Sequence, residues 1–435
     1  MKNARRAYTI SFLVVLFLGL LFFLGFFQTW QNAASDNLFT EKEPLEDIII
    51  IAIDDHSLQE IGRWPWDRNT YVHIFEHLRD ARVIGLDVAF FEPAPGDQEL
   101  GALMRSLGTV VIPIEFDFSK NVTLTPAPGY ENVTTGFVNI FTDDDGITRT
   151  LPLEYQGKKS FSLALYEKWR GKEVKAPQNP LRINYVGPPF TFKTISFADA
   201  LKTNFTGKIV LIGATAPDLH DDALVPTSHG RAMPGVEIHA NALQTLIMGQ
   251  YLTQTPAFVT LLLMLLIAAL ITTALLRLPL IPASIITLAI LIAYIFLSIL
   301  FFDRGIILNI IYPTLTGVLV YVVLVAYFYV QEFIERQRVK NIFGKYVSPH
   351  LAEHILATTD KEDITLEGEE RNIAVLFADI RGFTSMSEKM KPREVVSMLN
   401  TYLGAMTKSV FDNNGTLDKY MGDCIMALFG APLPA

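Results

Sequence analysis

The sequence predicts a multi-domain membrane protein: an α/β domain outside the cytoplasm, four transmembrane helices and a partial α+β domain at the C-terminal end. Three observations lead to this fold class. Four apolar runs are each about long enough to cross a bilayer. The stretch between the first two runs mixes apolar strands with helical patterns, and the last part of the chain has the order strand, helices, hairpin. The four apolar runs lie at residues 8–27, 257–276, 278–302 and 306–330.

The composition narrows the class of protein. Half of the 435 residues are hydrophobic, 19% are charged and the net charge is −9, which argues against a nucleic-acid-binding protein. The single cysteine, Cys424, makes an intrachain disulfide impossible. A cysteine-free outer domain is compatible with a bacterial envelope protein, and we expect a bacterial source.

The N-terminal residues 1–7 carry Lys2, Arg5 and Arg6 and precede the apolar run at 8–27. A cleaved signal peptide is the alternative interpretation of this region. Its apolar core would be shorter and followed by small residues at a cleavage site, whereas residues 28–34 offer only a poor site. We therefore predict a short cytoplasmic N-terminus followed by an uncleaved transmembrane helix.

Residues 28–256 are predicted to form a soluble domain with a central sheet, since several strands are apolar on both faces. Asp54, Asp55 and Asp87 lie at strand ends, where open α/β sheets often bind ligands. Alternatively, Asp55 and Asp67 cap the helices that follow them. The predicted strands cover residues 47–54, 83–90, 109–118, 181–186 and 208–215, and the predicted helices cover 70–79, 161–169 and 236–248.

Six motifs occur in order within residues 40–250: IAIDDHSL at 51–58, GRWPWDR at 62–68, IGLDVAFFEP at 84–93, DDDGITR at 143–149, KIVLIGAT at 208–215 and MPGVEIHAN at 233–241. By these motifs the segment resembles the second type of CHASE domain, a sensor module found outside the membrane in bacterial cyclases and kinases. The resemblance implies a sensor role with an unknown stimulus. Trp64 and Trp66 could stack on a ligand or pack in the core. The histidines at 56, 220, 229 and 239 lack close metal-ligand spacing.

The distribution of charge predicts the orientation in the membrane. Four spans place both termini on one side, and most basic residues near the span ends lie there, as the positive-inside rule prefers for the cytoplasm. We therefore expect residues 28–256 outside the cytoplasm and 331–435 inside, in a multi-pass, lipid-contacting protein of the inner (plasma) membrane. The basic residues on the cytoplasmic side are Lys2, Arg5, Arg6, Arg277, Arg336, Arg338, Lys340 and Lys345.

Residues 331–367 are predicted to link the last span to the C-terminal domain. A charged helix continues over 331–345, Ser348 and Pro349 are typical of the start of another short helix, and residues 358–363 form a polar linker. This segment would pair with its copy in a second chain as a parallel helical stalk. A solvated single helix is the alternative, because few apolar positions repeat.

Residues 368–435 contain two aspartates at the mouths of adjacent predicted strands. Asp379 ends the first strand, and Asp423 lies in a hairpin turn. Two such carboxylates could share a pair of divalent cations, and hard oxygen ligands suit Mg²⁺ or Mn²⁺. Either aspartate alone could instead serve only a turn or a helix cap. The predicted strands cover 372–379, 416–421 and 424–429, with a turn at 380–385 and a helix at 392–410.

Two segments in this region occur in order, FADIRGFT at 377–384 and DKYMGDCIMALFG at 418–430. By them the chain resembles the class III nucleotidyl cyclases, the adenylate and guanylate cyclase family, with a ferredoxin-like α+β catalytic domain. The resemblance implies that Asp379 and Asp423 are catalytic and bind two Mg²⁺ or Mn²⁺ ions, with the Ile380 carbonyl as a further ligand. The backbone of Gly382, Phe383 and Thr384 would hold the triphosphate, and Lys419 would read the adenine of ATP.

The resemblance further implies a receptor adenylate cyclase that forms cyclic AMP and pyrophosphate. Family sites lie between two catalytic domains, so a homodimer through the cyclase domain and the linker helix is implied. Two alternatives stay open: a sensor or assembly protein with an inactive catalytic domain, and a guanylate cyclase, which Lys419 disfavours because that class usually carries glutamate there. The family domain continues well beyond Gly430, so we expect the chain as it stands to be catalytically inactive.

Overall fold

A computed structural model describes residues 2–343 and 370–431 of the chain. The chain divides into two compact units, Met1–Leu324 and Val325–Ala435. The first unit contains the α/β domain of residues 28–256, called the outer domain after its predicted location, and the first three apolar helices. The second unit contains the C-terminal α+β domain.

The first unit begins with two helices, α1 (Lys2–Phe23) and α2 (Gln28–Asp36). Gly25 lies between them with a φ of 67°, a backbone conformation that favours glycine and ends α1 before the predicted limit at residue 27. The helix α2 was not predicted. Five helices belong to the domain that follows: α3 (Asp55–Ile61), α4 (Arg68–His77), α5 (Asp97–Leu107), α6 (Phe161–Arg170) and α7 (Gly235–Met248).

The strands of this domain are β1 (Ile48–Ile53), β2 (Val83–Asp87), β3 (Val110–Asp117), β4 (Val122–Leu124), β5 (Thr134–Phe137), β6 (Thr150–Leu151), β7 (Glu154–Tyr155), β8 (Lys158–Lys159), β9 (Leu181–Arg182), β10 (Lys193–Ser196), β11 (Ile209–Ala214), β12 (Asp222–Ala223) and β13 (Met233–Pro234). Seven of them form the predicted central sheet in the order β10–β1–β11–β2–β3–β4, with β5 also paired to β3. All pairings are parallel except that of β3 with β4.

Helices cover both faces of this sheet, which explains why its strands are apolar throughout. Successive side chains of β1 point to opposite faces. Ile48 and Ile50 are buried in a cluster with Phe161 of α6, and Ile49 and Ile51 are buried in a second cluster with Tyr71 of α4. The domain is therefore a three-layer α/β structure, in agreement with the predicted fold class.

The helix that follows β1 is capped by Asp54 rather than by Asp55. The Asp54 carboxylate accepts a hydrogen bond from the Ser57 amide at 2.9 Å and another from the Ser196 hydroxyl at 2.7 Å. The prediction that Asp55 is the cap was wrong by one residue, because the chain leaves β1 one position earlier. The predicted cap Asp67 is confirmed, since its carboxylate accepts from the Asn69 amide at 2.9 Å.

The predicted strand at 181–186 is shorter than expected. Only Leu181–Arg182 pairs with another strand. Beyond it, the amide of Asn184 donates to the Thr245 hydroxyl at 3.1 Å, and the amide of Val186 donates to the Asn241 side chain at 3.0 Å. Side chains of α7 thus satisfy backbone groups that a longer strand would have paired.

Four helices in the described residues are long and apolar enough to cross a membrane: Ala4–Phe23, Ala257–Arg277, Leu280–Phe302 and Ile311–Arg338. The last three belong to α8 (Ala257–Arg277), α9 (Leu280–Phe302) and α10 (Ile311–Phe343). The hydroxyl groups of Ser11 and Thr272 lie 2.7 Å apart and join α1 to α8. The predicted helical continuation at 331–345 is present as far as Phe343.

The segment before α10 differs from the prediction, which began the span at residue 306. Ile306–Ile307 (β15) instead pairs in parallel with Thr253–Gln254 (β14), which directly precedes α8. The side-chain oxygen of Gln31, on α2, accepts hydrogen bonds from the amides of Ile310 and Ile311 at 2.8 and 3.1 Å. Phe39 and Phe302 also pack edge to face, with ring centroids 5.1 Å apart. These contacts join the outer domain to the ends of the apolar helices.

The second unit contains β16 (Ala374–Ala378), α11 (Phe383–Ser387), α12 (Pro392–Asp412), β17 (Thr416–Met421) and β18 (Cys424–Phe429). The strands form an antiparallel sheet in the order β16–β18–β17. Val410 of α12 is buried against Ile425 and Ala427 of β18. These elements agree with the predicted order of strand, helices and hairpin, with α11 replacing the end of the predicted turn.

Some predictions concern residues that the structure does not describe. They are the second linker helix opened by Ser348 and Pro349 and the polar linker at residues 358–363.

Candidate functional site

The two aspartates predicted to bind metal lie together at one end of the C-terminal sheet. Strand β16 pairs with β18 as far as Ile425, so Asp379 emerges beside the hairpin turn that contains Asp423. Gly422 has a φ of 71°, which permits this tight turn. The carboxyl groups of Asp379 and Asp423 lie close enough to interact, because Asp423 raises the pKa of Asp379. Residues far apart in sequence are thus brought together by strand pairing.

This contact has an electrostatic consequence. The hydrogen bond with Asp423 raises the pKa of Asp379, and partial desolvation and the negative charge of Asp423 act in the same direction. A proton or a cation shared by the two groups relieves the repulsion between them. Carboxylate oxygens are the donors that hard divalent cations such as Mg²⁺ prefer. The pair therefore fits the ions expected from the sequence.

The turn after Asp379 supplies further backbone groups to the site. The Ile380 carbonyl accepts a hydrogen bond from the Phe383 amide at 3.2 Å and keeps a second lone pair available for a cation. The Phe383 amide, one of three predicted phosphate donors, is thus used within the turn. The amides of Gly382 and Thr384 donate to no backbone acceptor among the described residues, and Gly382 begins α11 with a φ of 74°.

Lys419 lies on β17, apart from the aspartates. Strand β18 separates β17 from β16, and the pairing of β17 with β18 is irregular between Leu417 and Lys419. The Lys419 ammonium group is 3.1 Å from the Asp418 carboxylate, and its side chain is 59% exposed. Within the described residues, Lys419 makes no ion pair with Asp379 or Asp423. The sheet therefore presents the predicted metal ligands and the predicted base-reading lysine at different places.

One part of this sheet exposes apolar side chains. Val375 and Phe377 of β16, which face away from α12, are 46% and 58% exposed. On the other side, the hydroxyl groups of Thr407 and Tyr420 are 2.7 Å apart and hold α12 against β17. An apolar face that this chain leaves open in the described residues is suited to a partner surface.

Some candidate ligand residues of the outer domain stabilise the fold, and one of them lines a cavity instead. The carboxylate of Asp54 is occupied as a helix cap. Trp66 is buried, packs against Trp64 at a centroid distance of 5.2 Å and is part of a core cluster. Asp87, in contrast, lines a cavity together with both tryptophans.

The histidines of the outer domain do not form a metal centre in the described residues, where no group of three or more His, Cys, Asp or Glu side chains is placed to hold one ion. His239 is fully buried, and burial lowers its pKa to about 4. Its Nδ1 lies 3.1 Å from the Ser162 hydroxyl. His56 lies 3.5 Å from Asp199 at the surface.

The sequence interpretation did not identify a buried ion cluster around Arg149. The Arg149 side chain is 2% exposed and contacts the carboxylates of Asp36, Asp143 and Asp145, each at 2.7 Å. The sequence did indicate part of this cluster, because Asp143, Asp145 and Arg149 are closely spaced in one motif. Asp36, at the end of α2, could be assigned only from the fold.

Comparison with known families matches residues 12–275 to the CHASE2 domain and residues 367–434 to the adenylate and guanylate cyclase catalytic domain. The first match runs from within α1 to near the end of α8. The second includes Asp379, Asp423 and Lys419. Both matches agree with the two resemblances that the motifs indicate.

Similar proteins include two uncharacterized proteins of Mycobacterium tuberculosis, which are 36% and 37% identical over 98 residues, or 22% of this chain and 17% of theirs. The adenylyl cyclase CyaB from P. aeruginosa is 44% identical, with 14% of this chain and 32% of that chain covered and a TM-score of 0.14. The guanylyl cyclase Cya2 is 48% identical, with 16% of this chain and 34% of that chain covered and a TM-score of 0.15. The matched segment spans less than a fifth of the curated relatives and about a third of the solved cyclases.

Proposed function

Because this chain belongs to the CHASE2-domain proteins and carries an adenylate and guanylate cyclase catalytic domain, we propose that it is a membrane receptor adenylate cyclase. In this proposal the outer domain senses a stimulus, the apolar helices and the linker helix transmit it, and the inner domain converts ATP to cyclic AMP and pyrophosphate. The observation that carries the catalytic part is the contact between the Asp379 and Asp423 carboxyl groups at the mouth of the β16–β18 pair.

The two aspartates would hold a pair of Mg²⁺ or Mn²⁺ ions, with the Ile380 carbonyl as a further ligand. When bound, these ions would lower the pKa of the ribose 3′-hydroxyl and neutralise charge on the phosphates and the leaving pyrophosphate. The β16–β18 pairing holds the backbone of Asp379 beside the hairpin turn that contains Asp423. The Ile380 amide donates to the Asp379 carboxylate at 3.0 Å and fixes one oxygen.

The turn at Gly382–Thr384 would bind the triphosphate. The Gly382 and Thr384 amides are available as donors to phosphate oxygens. The Phe383 amide would contribute only after leaving the Ile380 carbonyl. Since α11 has five residues, we assign the binding to these individual amides rather than to a helix dipole.

Lys419 would read the purine. Its ammonium group can donate a hydrogen bond to adenine N1, whereas the N1 position of guanine carries a hydrogen and requires an acceptor. This difference favours ATP over GTP. The exposed position of Lys419 leaves its side chain free to reach a nucleotide held by another surface.

A homodimer completes the proposed site. Lys419 and the aspartates lie at different places on one sheet, so one chain would supply the metal ligands and its partner the lysine. The apolar side chains of Val375 and Phe377 exposed on β16 provide a surface that such a dimer could bury. The linker helix, as the continuation of α10, would pair with its copy.

The proposed location is the inner (plasma) membrane of a bacterium. Charge asymmetry supports the orientation, with Arg277 at the end of α8 and Arg336 and Arg338 near the end of α10 on the cytoplasmic side. The domain between α1 and α8 would then be extracytoplasmic.

The function is tested by nucleotide turnover in membranes. The chain, and the chain extended by any downstream coding sequence, are supplied with ATP or GTP and with Mg²⁺, Mn²⁺ or EDTA. In the form that turns over nucleotide, we expect cyclic AMP formation that requires a divalent ion and exceeds cyclic GTP formation. Predominant cyclic GTP would replace the proposal with a guanylate cyclase, and no product from either form would favour a sensor or assembly protein.

A further inference from the structure

The outer domain contains a cavity of about 580 Å³. It lies beside the carboxyl ends of the parallel strands, where β2 ends at Asp87 and β11 ends at Ala214, and both residues line it. Ligands of open α/β sheets bind at such an edge. The volume lies within the range of small-molecule sites, roughly 300–1,000 Å³, and far exceeds the space that a bare ion fills.

Three carboxylates line this cavity: Asp87, Glu115 and Asp221. In the described part of the chain none of them has an ion-pair partner. Arg68 also lines the cavity, but its guanidinium bonds to Asp97 at 2.7 Å and lies 3.8 Å from the centre of the Phe90 ring. The lining therefore contains three carboxyl groups that no cationic side chain of the described residues pairs with.

The cavity also contains a polar group that the described residues leave unsatisfied. Tyr71 is 1% exposed and lines the cavity, and its hydroxyl has no hydrogen-bond partner. A buried hydroxyl without a partner is costly, on the order of 1–3 kcal/mol, and a polar ligand in the cavity would satisfy it. This observation is independent of the carboxylates.

Aromatic side chains complete the lining. Trp64 and Trp66 stand with Tyr71 around the cavity, whereas the face of Phe90 is covered by the Arg68 guanidinium. Aromatic faces attract organic cations through the ring quadrupole, at about 0.5–2 kcal/mol for each contact. A wall that combines aromatic faces with unpaired carboxylates is suited to a ligand with both an apolar body and a positive charge.

From these contacts we infer that the cavity binds a small organic cation carrying a protonated or quaternary amine. The carboxylates of Asp87, Glu115 and Asp221 bind its charge, the aromatic rings pack on its carbon atoms, and the Tyr71 hydroxyl bonds to a polar group of the ligand. This ligand would be the stimulus of the outer domain. A metal ion alone is disfavoured, because no three acidic or histidine side chains of the described residues are arranged to hold one.

With only protein groups around them, Asp87 and Asp221 are shifted toward their protonated forms. Burial raises the pKa of Asp87, and Asp221 and Glu115 raise it further. Burial is also the largest cause of the raised pKa of Asp221, and the charges of Asp222 and Glu115 raise it further. A positive group among these carboxylates would stabilise their ionised forms.

Binding is measured on the whole chain in lipid nanodiscs, without nucleotide, so that the result does not depend on the proposed cyclase activity. The probes are methylamine, putrescine and choline. 1,4-Butanediol serves as the uncharged analogue of putrescine, and CaCl₂ and MgCl₂ test for a metal site. Because Trp64 and Trp66 line the cavity, tryptophan emission reports occupancy, and thermal unfolding reports stabilisation. We expect a saturable response to at least one amine and none to butanediol.

Three variants locate the site. Asp87→Asn and Asp221→Asn remove a charge with little change in shape and are expected to weaken amine binding at least tenfold. Asp80→Asn is the matched control, because Asp80 is exposed elsewhere on the domain, and it should bind like the parent. Tyr71→Phe removes a hydroxyl that has no partner in the protein, so it should weaken binding while keeping the folded domain as stable as the parent.

The inference is overturned if none of the amines gives a saturable response, or if Asp87→Asn and Asp221→Asn, shown to be folded by thermal unfolding, bind as tightly as Asp80→Asn. A response to Ca²⁺ or Mg²⁺ that exceeds every amine response and is lost in the same variants would also overturn it, in favour of a metal site.

Discussion

Asp379 and Asp423 contribute little to packing, since Asp379 is exposed and Asp423 only partly buried. Asp379→Asn or Asp423→Asn should therefore keep the fold and relieve the repulsion between the two groups. In the form of the protein that turns over ATP, we expect activity with Mn²⁺ to fall by at least about 10²-fold, the loss typical of a charge-stabilising group. Cyclic AMP formation measures the loss, and circular dichroism checks the fold.

The matched control for this pair is Asp412→Asn, which changes an exposed carboxylate at the end of α12. It should retain full activity. If Asp379→Asn were as active as Asp412→Asn, Asp379 would not be a metal ligand.

Lys419 determines a second property of the proposed site, the choice of purine. Lys419→Glu replaces a donor by an acceptor suited to the guanine edge, so the ratio of cyclic AMP to cyclic GTP should fall. Its pair with Asp418 is exposed, and such pairs contribute only about 0–1 kcal/mol. The domain should therefore remain folded.

Product ratios with equal ATP and GTP measure this change. Lys408→Glu, at an exposed position of α12, makes the same charge change away from the site and should leave the ratio unchanged. An unaltered ratio in Lys419→Glu would remove Lys419 from the purine pocket.

Between elements, the Arg149 cluster joins α2 to the outer domain through Asp36. Arg149→Met would leave three carboxylates facing one another without a cation, and losing one partner of a buried ion pair commonly costs about 3–5 kcal/mol. We expect a clear drop in the unfolding temperature of the outer domain. Tryptophan emission measures this unfolding. Arg79→Met, which removes an exposed arginine, should cause almost no change.

The same cluster gives the outer domain a dependence on pH. The hydrogen bond from Arg149 lowers the pKa of Asp145. A carboxylate whose pKa is lower in the folded state stabilises the fold above its unfolded pKa, and this stabilisation is lost as pH falls through the folded value. Arg149→Met should flatten the acid side of the stability profile. A profile as steep as that of the parent would assign the acid sensitivity to other groups.

Helix α6 packs so closely on the sheet that Gly136 of β5 has no space for a larger residue. A Cβ atom there would lie 2.6 Å from the Cα atom of Phe161, and main chain cannot move aside as a side chain can. Gly136→Ala should destabilise the outer domain by about 1–3 kcal/mol or more, as measured by thermal unfolding. Gly404→Ala, where a Cβ meets nothing within 4 Å, should not; equal stability of both variants would contradict the packing described.

Elements with a strong local pattern could be predicted from the sequence, and those defined by distant partners could not. The strands Thr416–Met421 and Cys424–Phe429 were predicted at their observed limits because glycine-containing turns bound them. Strand β10 was missed, since residues 193–196 are only partly apolar and pair with β1. The pairing of Ile306–Ile307 with Thr253–Gln254 joins segments separated by two helices, so an apolar run alone suggested a longer span.

The same distinction applies to the sites. The motifs identified Asp379 and Asp423, and strand pairing explains their contact. The use of the Phe383 amide within its own turn depends on backbone geometry that a motif does not specify. In the cavity, Asp87 was noticed as a strand end, but Glu115, Asp221 and Tyr71 come from separate elements, and only the folded sheet brings them together.

For the whole molecule, the orientation in the membrane is the prediction that the proposed receptor function requires. Reporter fusions at Asn121 and Asp363 test it. A reporter that is active only in the periplasm should work at Asn121 and fail at Asp363, and a cytoplasmic reporter should give the opposite result. Cytoplasmic activity at Asn121 would reverse the topology and place the outer cavity inside the cell.

The contacts of Gln31 and Phe39 bear on how this protein can be divided for engineering. A fragment cut at residues 28 and 256 would keep Gln31 but remove the Ile310 and Ile311 amides that it caps, and it would uncover Phe39 by removing Phe302. The natural interchangeable part is therefore the outer domain together with its apolar helices. A different output domain would therefore be grafted beyond the last apolar helix, after Arg338.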